Sequence, residues 1–570
     1  MNRRNGLFRL IVVSAALILP LGAARGETFI KQLANGVVYK QIIGRPSDPV
    51  SGTLPRIINV LTIDPKAPGV EIRAVLAHDR VNDLDPTRGR EDMGSIARRL
   101  HAAAVVNTDF CNWTGDPLGL HVENGQLVSE PYPRRTMFGM TATGKYLYDV
   151  LGWDAKVTLP DGASRAINGL ERDRGPGELI AYTRKWFTST CTKDNGSEAV
   201  ITTKDLPIRL GVPIRGTVSK LRPDLGDTPI PEDGIVLSGA GPAGDFVENA
   251  LKEGMEVTLT FDVVPTATTG WNEVVQAAGG TPRLIRDGVI IEDFQQEGIG
   301  MGHITTAHPR TALGTTADGK LVLATVDGRQ QNATGMPLPN LALLMKSLGC
   351  VDALSLDGGG SSTMATWFGI LNSPSDGKLR PLPNGIAVFA DEPSWPSVDF
   401  EISQVTKPVA SAETVRLRLI DSATRQPLKK MLASRAIWST DKGIGFVDQA
   451  GIFTGYKVGK VEVVVRLGSK FARTTIETVA GPPKRLTAVL EAVEPGKADL
   501  TVGVTDIGAN GIAGLRPRVK ISGGKLDAGE VVTGEIGKAS VGVKWAGPSG
   551  GRIEVSYPGL TPVVVEQLSP

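Results

Sequence analysis

The hydrophobic pattern of this 570-residue chain changes near residue 396, and the change restricts the folds that its two parts can adopt. Before residue 390, short apolar runs alternate with amphipathic segments of helix length, which indicates a domain with both strands and helices. After residue 396, helical patterns almost vanish, and alternating runs such as Val461, Val463 and Val465 predict half-buried strands. The second part is therefore predicted to be all-β, with the turn spacing of sandwich modules.

Two proline-containing stretches give the predicted domain boundaries. The sequence Asp391-Glu-Pro-Ser-Trp-Pro396 is typical of a linker, which leaves residues 27–390 as the first domain. The sequence Gly481-Pro-Pro483 then divides the remainder into one module at 397–481 and a second at 482–570.

The start of the chain has the features of an export signal. Arg3 and Arg4 are basic, residues 11–21 are apolar, and residues 24–26 form a small-x-small cleavage site. An uncleaved anchor helix is the alternative, but the apolar run is shorter than the ~20 residues that cross a bilayer. We therefore expect residues 1–26 to be a signal peptide and the mature protein to be exported, whether periplasmic, secreted or at the cell surface, with no transmembrane segment.

Composition argues against two classes of protein. The chain carries 62 basic and 60 acidic residues, a net charge of +2, and no basic run, so we expect no nucleic-acid partner. Its three cysteines, Cys111, Cys191 and Cys350, are too few for a disulfide framework and match no zinc-site spacing. One pair can form a disulfide, and the sequence leaves open which.

Six elements are predicted around the polar motifs of the first domain. A helix precedes a short buried strand, which leads into a polar loop at 107–119, and a β-hairpin is followed by a second helix and strand. In order, the elements are a helix at 91–102, a strand at 104–106, hairpin strands at 311–316 and 321–326, a helix at 339–348 and a strand at 351–356.

The stretch Leu356-Asp-Gly-Gly-Gly-Ser-Ser-Thr-Met-Ala365 follows the last of these strands. Each glycine costs roughly 0.5–1 kcal/mol of backbone entropy relative to alanine, so three in a row indicate close approach by a ligand or another group. Backbone N–H groups and two hydroxyls are expected to cradle an anionic oxygen here. The alternative is a tight turn in which Asp357 is a turn acid. The cradle candidates are Gly358, Gly359, Gly360, Ser361 and Ser362.

Other nucleotide and nucleophile motifs do not fit this stretch. No lysine follows the glycines as in a phosphate-binding P-loop, and neither serine has the G-x-S-x-G setting of a nucleophile elbow. Among the five histidines, only His308 stands beside another candidate, Arg310, while His121 is a weaker candidate for substrate contact.

The glycine motif resembles the signature of the phosphodiester glycosidases, and further blocks match that family in order. Thr108 and Cys111 depart from the usual first block, and residues 145–275 match loosely. The blocks span about 55–390 and are Val106-Asn-Thr-Asp-Phe110 with Pro117-Leu-Gly119, Gly279-Gly-Thr-Pro-Arg-Leu-Ile-Arg-Asp-Gly288, His308-Pro-Arg-Thr-Ala-Leu-Gly314, Val326-Asp-Gly-Arg329, and Asn372-Ser-Pro-Ser-Asp-Gly377 with Arg380. The segment from Ile437 to Thr454 resembles bacterial immunoglobulin-like modules.

The resemblance implies an α+β catalytic domain with mixed sheets, followed by all-β immunoglobulin-like sandwich modules. It implies a hydrolase that cleaves the C1–O bond of a sugar-1-phosphodiester, where a phosphomonoester of low basicity leaves and charge stabilisation carries much of the catalysis. In this reading Asp357 is the base or stabilises the sugar cation, Arg310 clamps the phosphate with its guanidinium, and His308 and the glycine turn bind substrate.

Further roles follow from the same resemblance. Asn107 and Asp109 hold sugar hydroxyls or share the acid–base work. Asp327 is a further candidate, beside Asp357 and Asp109, for the catalytic carboxylate, and Arg329 is a candidate for substrate binding. The alternative for both is that they support the site from behind. Arg310 has the alternative of a salt bridge to Asp327 or Asp357. Asp109 with Asn112 and Asp116 has two alternatives, plain turn caps or a calcium site that stabilises the loop, although the spacing is not that of an EF-hand.

The expected substrate is a phosphoglycan or exopolysaccharide, and the sandwich modules are expected to contact the cell envelope. Two alternatives remain from other classes. One is a non-catalytic, glycan-binding adhesin, and the other is a phosphodiesterase that breaks the P–O bond with a metal held by the aspartates.

Overall fold

The computed structural model describes residues 27–44, 56–330, 333–395, 398–547 and 550–568. The predicted signal peptide lies outside these ranges. The chain is mostly β, with 47% strand and 9% helix, so the expected α+β class understates the strands. No helix in the described ranges is long and apolar enough to cross a membrane.

The helices of the described ranges are short. The helix Met93–Leu100 begins where the Asp92 carboxylate accepts a hydrogen bond from the Ser95 N–H (2.9 Å), and it buries Ile96. This helix and Leu338–Ser347 confirm the two helices predicted from periodicity. The α-helices are Met93–Leu100, Pro242–Ala250, Met301–Thr305, Leu338–Ser347 and Lys430–Ala433, and the 3-10 helices are Ala77–Asp79, Trp271–Glu273, Phe294–Glu297 and Gly359–Ser361.

An eight-stranded sheet carries the predicted hairpin, Arg310–Thr316 paired with Leu321–Val326, and this prediction is confirmed. The pairs along this sheet are antiparallel. Leu341 and Met345 of the second helix are buried against it, because both project from the same face of that helix. In spatial order its strands are Glu27–Ala34, Val37–Gly44, Arg56–Ile63, Leu321–Val326, Arg310–Thr316, Cys350–Leu356, Arg283–Arg286 and Val289–Ile290.

A twelve-stranded sheet is built mostly from residues 145–275, the region that matches the family blocks loosely. It contains one parallel pair, Gly169–Leu170 with Leu179–Tyr182. In spatial order its strands are Gly169–Leu170, Leu179–Tyr182, Gly234–Gly239, Ser197–Thr203, Ile214–Arg222, Glu256–Pro265, Tyr146–Thr158, Thr136–Thr141, Val274–Gly279, His121–Glu123 and Gln126–Ser129, with Ser164–Ala166 on the side of Tyr146–Thr158.

A nine-stranded sheet runs from the first domain into the module predicted at 397–481. The crossing is an antiparallel bridge between Ile370 and Thr440. The linker and module boundaries stay predictions, but the sheet is continuous across them. In spatial order its strands are Val409–Ala410, Lys470–Val479, Gly459–Leu467, Ile437–Thr440, Gly369–Ile370, Met364–Thr366, Ala104–Asn107, Asn384–Phe389 and Glu71–Leu76.

Buried cations fasten the same module to the N-terminal hairpin. The Lys31 ammonium donates to the carbonyls of Ser434 (2.5 Å) and Ala436 (2.9 Å), and burial lowers its pKa to about 8. The Arg466 guanidinium donates to the Leu33 carbonyl. Because charged groups are costly to bury without partners, these contacts fix the module against the first domain.

The remaining strands of the tail form four small sheets. Val502 and Val543 of a four-stranded sheet pack with Ile553 and Val555 of a three-stranded sheet, so the last module is a two-layer β structure. Its immunoglobulin-like character stays a prediction. The four sheets are Phe400–Ile402 with Leu419–Asp421; Thr414–Arg416, Ile452–Gly455 and Gly445–Val447; Arg485–Glu494, Lys497–Thr505, Lys538–Trp545 and Gly524–Leu526; and Arg518–Ser522, Gly550–Ser556 and Val563–Leu568.

Candidate active site

The glycine turn and the polar loop meet at the ends of neighbouring strands. The Asp357 N–H donates to the Thr108 carbonyl (2.8 Å), and the Asn107 amide nitrogen donates to the Asp357 carbonyl (2.8 Å). The Asn107 amide oxygen accepts from the Thr311 hydroxyl (3.1 Å) and the Thr363 N–H (3.0 Å). Asn107 is buried, so its amide positions the turn; the expectation that it holds sugar hydroxyls does not fit this geometry.

Asp109 is a buried carboxyl group at the start of the polar loop. Its two oxygens accept hydrogen bonds from the N–H groups of Phe110 (2.8 Å) and Gly119 (2.6 Å). Burial raises its pKa to about 7, although these hydrogen bonds and the charge of Arg135 lower it, and the charge of Asp357 adds to the rise. Asp109 can therefore exchange a proton near neutral pH.

Asp357 is partly exposed and lies within electrostatic range of Asp109. Burial raises its pKa to about 6, while hydrogen bonding from Ser361 and the charge of Arg380 act in the opposite direction. Two neighbouring carboxyl groups whose pKa values are both raised by burial are typical of acid–base sites.

The backbone of the glycine turn is mostly hydrogen-bonded within the chain. The Gly359 N–H donates to the Pro309 carbonyl (2.9 Å), the Ser361 N–H to the Gly358 carbonyl (3.3 Å), and the Ser362 N–H to the Gly359 carbonyl (3.3 Å). These three donors are therefore not available to an anionic oxygen. The prediction that backbone N–H groups bind an anionic oxygen is therefore wrong for Gly359, Ser361 and Ser362.

The glycines instead leave room for two guanidinium groups. A Cβ on Gly359 would lie 3.2 Å from an Arg329 nitrogen, and one on Gly360 would overlap Arg380 and its partner Asp376. Gly359 also has a φ of +66°, a conformation that favours glycine. Arg329 and Arg380 are both exposed, so the turn presents positive charge beside Asp357.

The Arg310 guanidinium hydrogen-bonds to backbone carbonyls of the chain, whereas the sequence predicted that it binds phosphate. Its Nε donates to the Met336 carbonyl (2.7 Å), its Nη2 to the carbonyls of His303 (2.6 Å) and Thr306 (3.1 Å), and its Nη1 lies 2.8 Å from the His303 ring nitrogen Nε2. The side chain is 1% exposed and makes no ion pair with a described carboxylate. The phosphate-clamp prediction is therefore wrong, because the guanidinium is occupied by chain groups.

We expect Arg310→Lys to lower the free energy of unfolding by about 2 kcal/mol or more, because an ammonium cannot reach all these carbonyls. The matched variant Arg329→Lys changes an exposed guanidinium, and it is expected to raise KM with little loss of stability. Urea unfolding and initial rates on the diester used below measure both effects. If Arg310→Lys instead raises KM for the diester and leaves the free energy of unfolding unchanged, Arg310 binds the phosphate as the sequence predicted.

Arg135 is a site residue that the motifs do not identify. Its guanidinium lies over the rings of Tyr132 (4.3 Å) and Phe110 (5.0 Å), and its buried Nη1 has no hydrogen-bond partner among the described residues. Its charge lowers the pKa values of both Asp109 and Asp357. An unpaired guanidinium donor beside two carboxyl groups suits a phosphate oxygen of a substrate.

Asp327 lies behind the turn. Its carboxylate accepts hydrogen bonds from the Asn372 amide (3.0 Å) and the Ser373 N–H (3.0 Å), and burial raises its pKa to about 7. The same amide donates to the Ser362 carbonyl (2.9 Å). Asp327 therefore supports the turn through Asn372, which fits the alternative of support from behind. The catalytic role predicted for Asp327 does not fit this buried carboxylate, whose oxygens are hydrogen-bonded within the chain.

The two candidate histidines have different surroundings. His308 is partly exposed, and its Nδ1 lies 3.3 Å from an Arg329 nitrogen; burial and nearby arginines lower its pKa. His121 is buried, and its Nδ1 lies 3.1 Å from the Asn384 amide nitrogen, whose oxygen accepts from the Thr108 hydroxyl. His308 can contact a substrate anion, whereas His121 belongs to the support of the polar loop.

The alternative of a calcium site in the polar loop gains no support from the carboxylates that were candidates for it. Both Asp109 oxygens accept hydrogen bonds from backbone N–H groups. In the part of the chain that the structure describes, no three His, Cys, Asp or Glu side chains lie close enough together to hold a metal ion.

The three cysteines are free, with Cys111 partly exposed, Cys191 exposed and Cys350 buried.

Comparison with known proteins agrees with the resemblance seen in the motifs. An uncharacterized prophage-derived protein of Bacillus subtilis is 34% identical over 119 residues, which cover 21% of this chain and 18% of that protein. Mouse N-acetylglucosamine-1-phosphodiester alpha-N-acetylglucosaminidase is 26% identical over 193 residues, which cover 28% of this chain and 37% of that enzyme. These alignments span well under half of either relative.

The fold has a counterpart among solved structures. A hypothetical protein from Synechocystis superposes with a TM-score of 0.53 at 22% identity, covering 65% of this chain and 64% of that one. A family model described as phosphodiester glycosidase matches residues 214–389, which contain Asp357 and its glycine turn but not Asp109. Residues 214–389 are therefore similar to the phosphodiester glycosidase family.

Proposed function

We propose that this protein is an exported hydrolase that cleaves the C1–O bond of a sugar-1-phosphodiester in a phosphoglycan or exopolysaccharide. The observation that carries the proposal is that the glycine turn and the polar loop meet, with the Asp357 N–H bonded to the Thr108 carbonyl (2.8 Å), so that two carboxyl groups, Asp109 and Asp357, lie close to each other. Burial raises the pKa of both groups, and the nearby charge of Arg135 lowers it. The family domain and the name of the mouse relative support the same class of bond.

The site residues divide the reaction between proton transfer and charge. Asp357 accepts a proton from water while the water oxygen bonds to C1, and the C1–O bond breaks with its electron pair going to the phosphate oxygen. Protonated Asp109 donates a hydrogen bond or its proton to that oxygen. Arg135 and Arg329 stabilise the departing phosphomonoester, a role for which a guanidinium is suited because it can hold two phosphate oxygens.

The surroundings of this reaction are also proposals. Export follows from the predicted signal peptide at 1–26, and contact with the cell envelope is assigned to the tail modules. Neither bears on the chemistry of the site.

Hydrolysis in heavy-oxygen water tests the bond that breaks. The probe is a methyl diester of N-acetylglucosamine 1-phosphate, and we expect the label in the sugar, as C1–O cleavage requires. Label in the phosphate would overturn the proposal and support P–O cleavage, in which case a chelator added to the assay tests whether a metal takes part. Binding without turnover would support the glycan-binding alternative.

A further inference from the structure

A shallow groove of about 400 Å³ lies where the first domain meets both tail modules. Its walls come from three parts of the chain, so it exists only when those parts are together. The residues that matter below are Asp376 and Lys378 of the first domain, Ile444, Lys457 and Val458 of the first module, and Glu535 of the last module.

A chain of three polar contacts connects the groove to the catalytic candidate Asp357. The Asp376 carboxylate pairs with Arg380 (2.7 Å), and Arg380 donates to the Ser361 hydroxyl (3.2 Å). Ser361 in turn hydrogen-bonds to Asp357. A substrate chain that extends from Asp357 past Arg380 therefore reaches the groove at Asp376.

The two tail modules are held together across the groove. The Lys457 ammonium donates to the Gly508 carbonyl (2.7 Å), and the Asn510 amide donates to the Tyr456 carbonyl (2.8 Å). The Val458 N–H donates to the Asn510 amide oxygen (3.2 Å). These hydrogen bonds join the two tail modules beside the groove. They hold the two module walls of the groove in a fixed position relative to each other.

The lining suits a charged glycan chain. Lys378 is exposed and makes no ion pair with a described residue, so it is free for a phosphate. Val458 is 52% exposed and Ile444 is partly exposed, which offers apolar contact to sugar ring faces. The carboxylates of Asp376 and Glu535 can accept hydrogen bonds from sugar hydroxyls.

We propose that this groove binds the further sugar–phosphate units of a polymeric substrate, so that the enzyme acts on chains in preference to isolated diesters. This inference rests on the proposed function. It assigns the tail modules a part in substrate recognition, in addition to any contact with the envelope.

The test compares two substrates on the full chain. One is the methyl diester used above, and the other is a polymer of N-acetylglucosamine 1-phosphate units joined as phosphodiesters. The double variant Lys378→Glu with Val458→Asp places negative charge in the groove, and Lys460→Glu is the matched control, since Lys460 is exposed on the same module and does not line it.

We expect KM for the polymer to rise about tenfold in the double variant, as like charges repel, with the methyl diester and the control unchanged. Equal changes for both substrates, or no change for the polymer, would overturn the groove assignment. If neither substrate is cleaved, the proposed function is wrong, and binding of the polymer alone then tests the groove. A weaker polymer affinity in the double variant would support the groove as a binding site, and an unchanged affinity would contradict it.

Discussion

Replacing Asp357 by Asn is expected to lower kcat for the methyl diester by about 10²–10⁴-fold, the usual contribution of a general base. Asn is close to Asp in shape but cannot take the proton from water, and its neutral amide does not stabilise a positive sugar ring. Because Asp357 is partly exposed, the fold should tolerate the change, and diester affinity should stay within a few-fold. Initial rates and equilibrium binding on the same preparation measure the two quantities.

The pH profile separates loss of the base from damage to the site. In the wild type, kcat/KM should rise as pH passes about 6, where Asp357 loses its proton, and fall above about 7, where Asp109 loses its own. The Asn variant should lack the rise near pH 6. Asp154→Asn, at an exposed strand position, is the matched control and should behave as wild type. Equal loss of turnover and affinity would favour the glycan-binding alternative.

Replacing Gly279 by Ala is expected to have the second largest effect, although Gly279 offers no functional side chain. A Cβ at this position would overlap the Asp109 carboxylate, which already packs against Gly119, where a Cβ would lie 2.5 Å from Oδ2. The carboxyl group must move, and a displacement near 1 Å can cost about 10²-fold in rate. Overpacking should also reduce the free energy of unfolding by about 1–3 kcal/mol.

Rates and urea unfolding distinguish a displaced carboxyl group from general destabilisation. Gly300→Ala is the control, because a Cβ there meets nothing within 4 Å. Gly279→Ala should lose activity even well below its unfolding midpoint, where the control keeps wild-type rates. Wild-type kcat in Gly279→Ala would contradict the placement of Asp109 in the chemistry.

Local sequence signals predicted the elements that carry the site. The hairpin Arg310–Thr316 with Leu321–Val326, the helix Leu338–Ser347 and the position of Asp357 at a strand end all follow from periodicity, turns and caps within a few residues. Such signals act over short separations, so the sequence shows them directly. The loops that bear the polar motifs were placed correctly for the same reason.

The direction of side chains was not predictable in the same way. Arg310 stands beside His308 in the sequence, yet its guanidinium turns toward carbonyls of the segment before it and of Met336. Arg135 was missed because its place over Phe110 and Tyr132 depends on how that segment folds back toward the polar loop. Both outcomes depend on tertiary packing, which leaves no local pattern.

The bridge between Ile370 and Thr440 makes the first domain and the first module share hydrogen bonds as well as side-chain contacts. Cutting the chain at the predicted linker would leave the strand Gly369–Ile370 with an unprotected backbone edge, the kind of surface that promotes aggregation. It would also separate the Lys31 ammonium from the Ala436 carbonyl and the Arg466 guanidinium from the Leu33 carbonyl. For recombinant work, the smallest independently folding fragment of this protein is therefore longer than the segment that carries the family motifs.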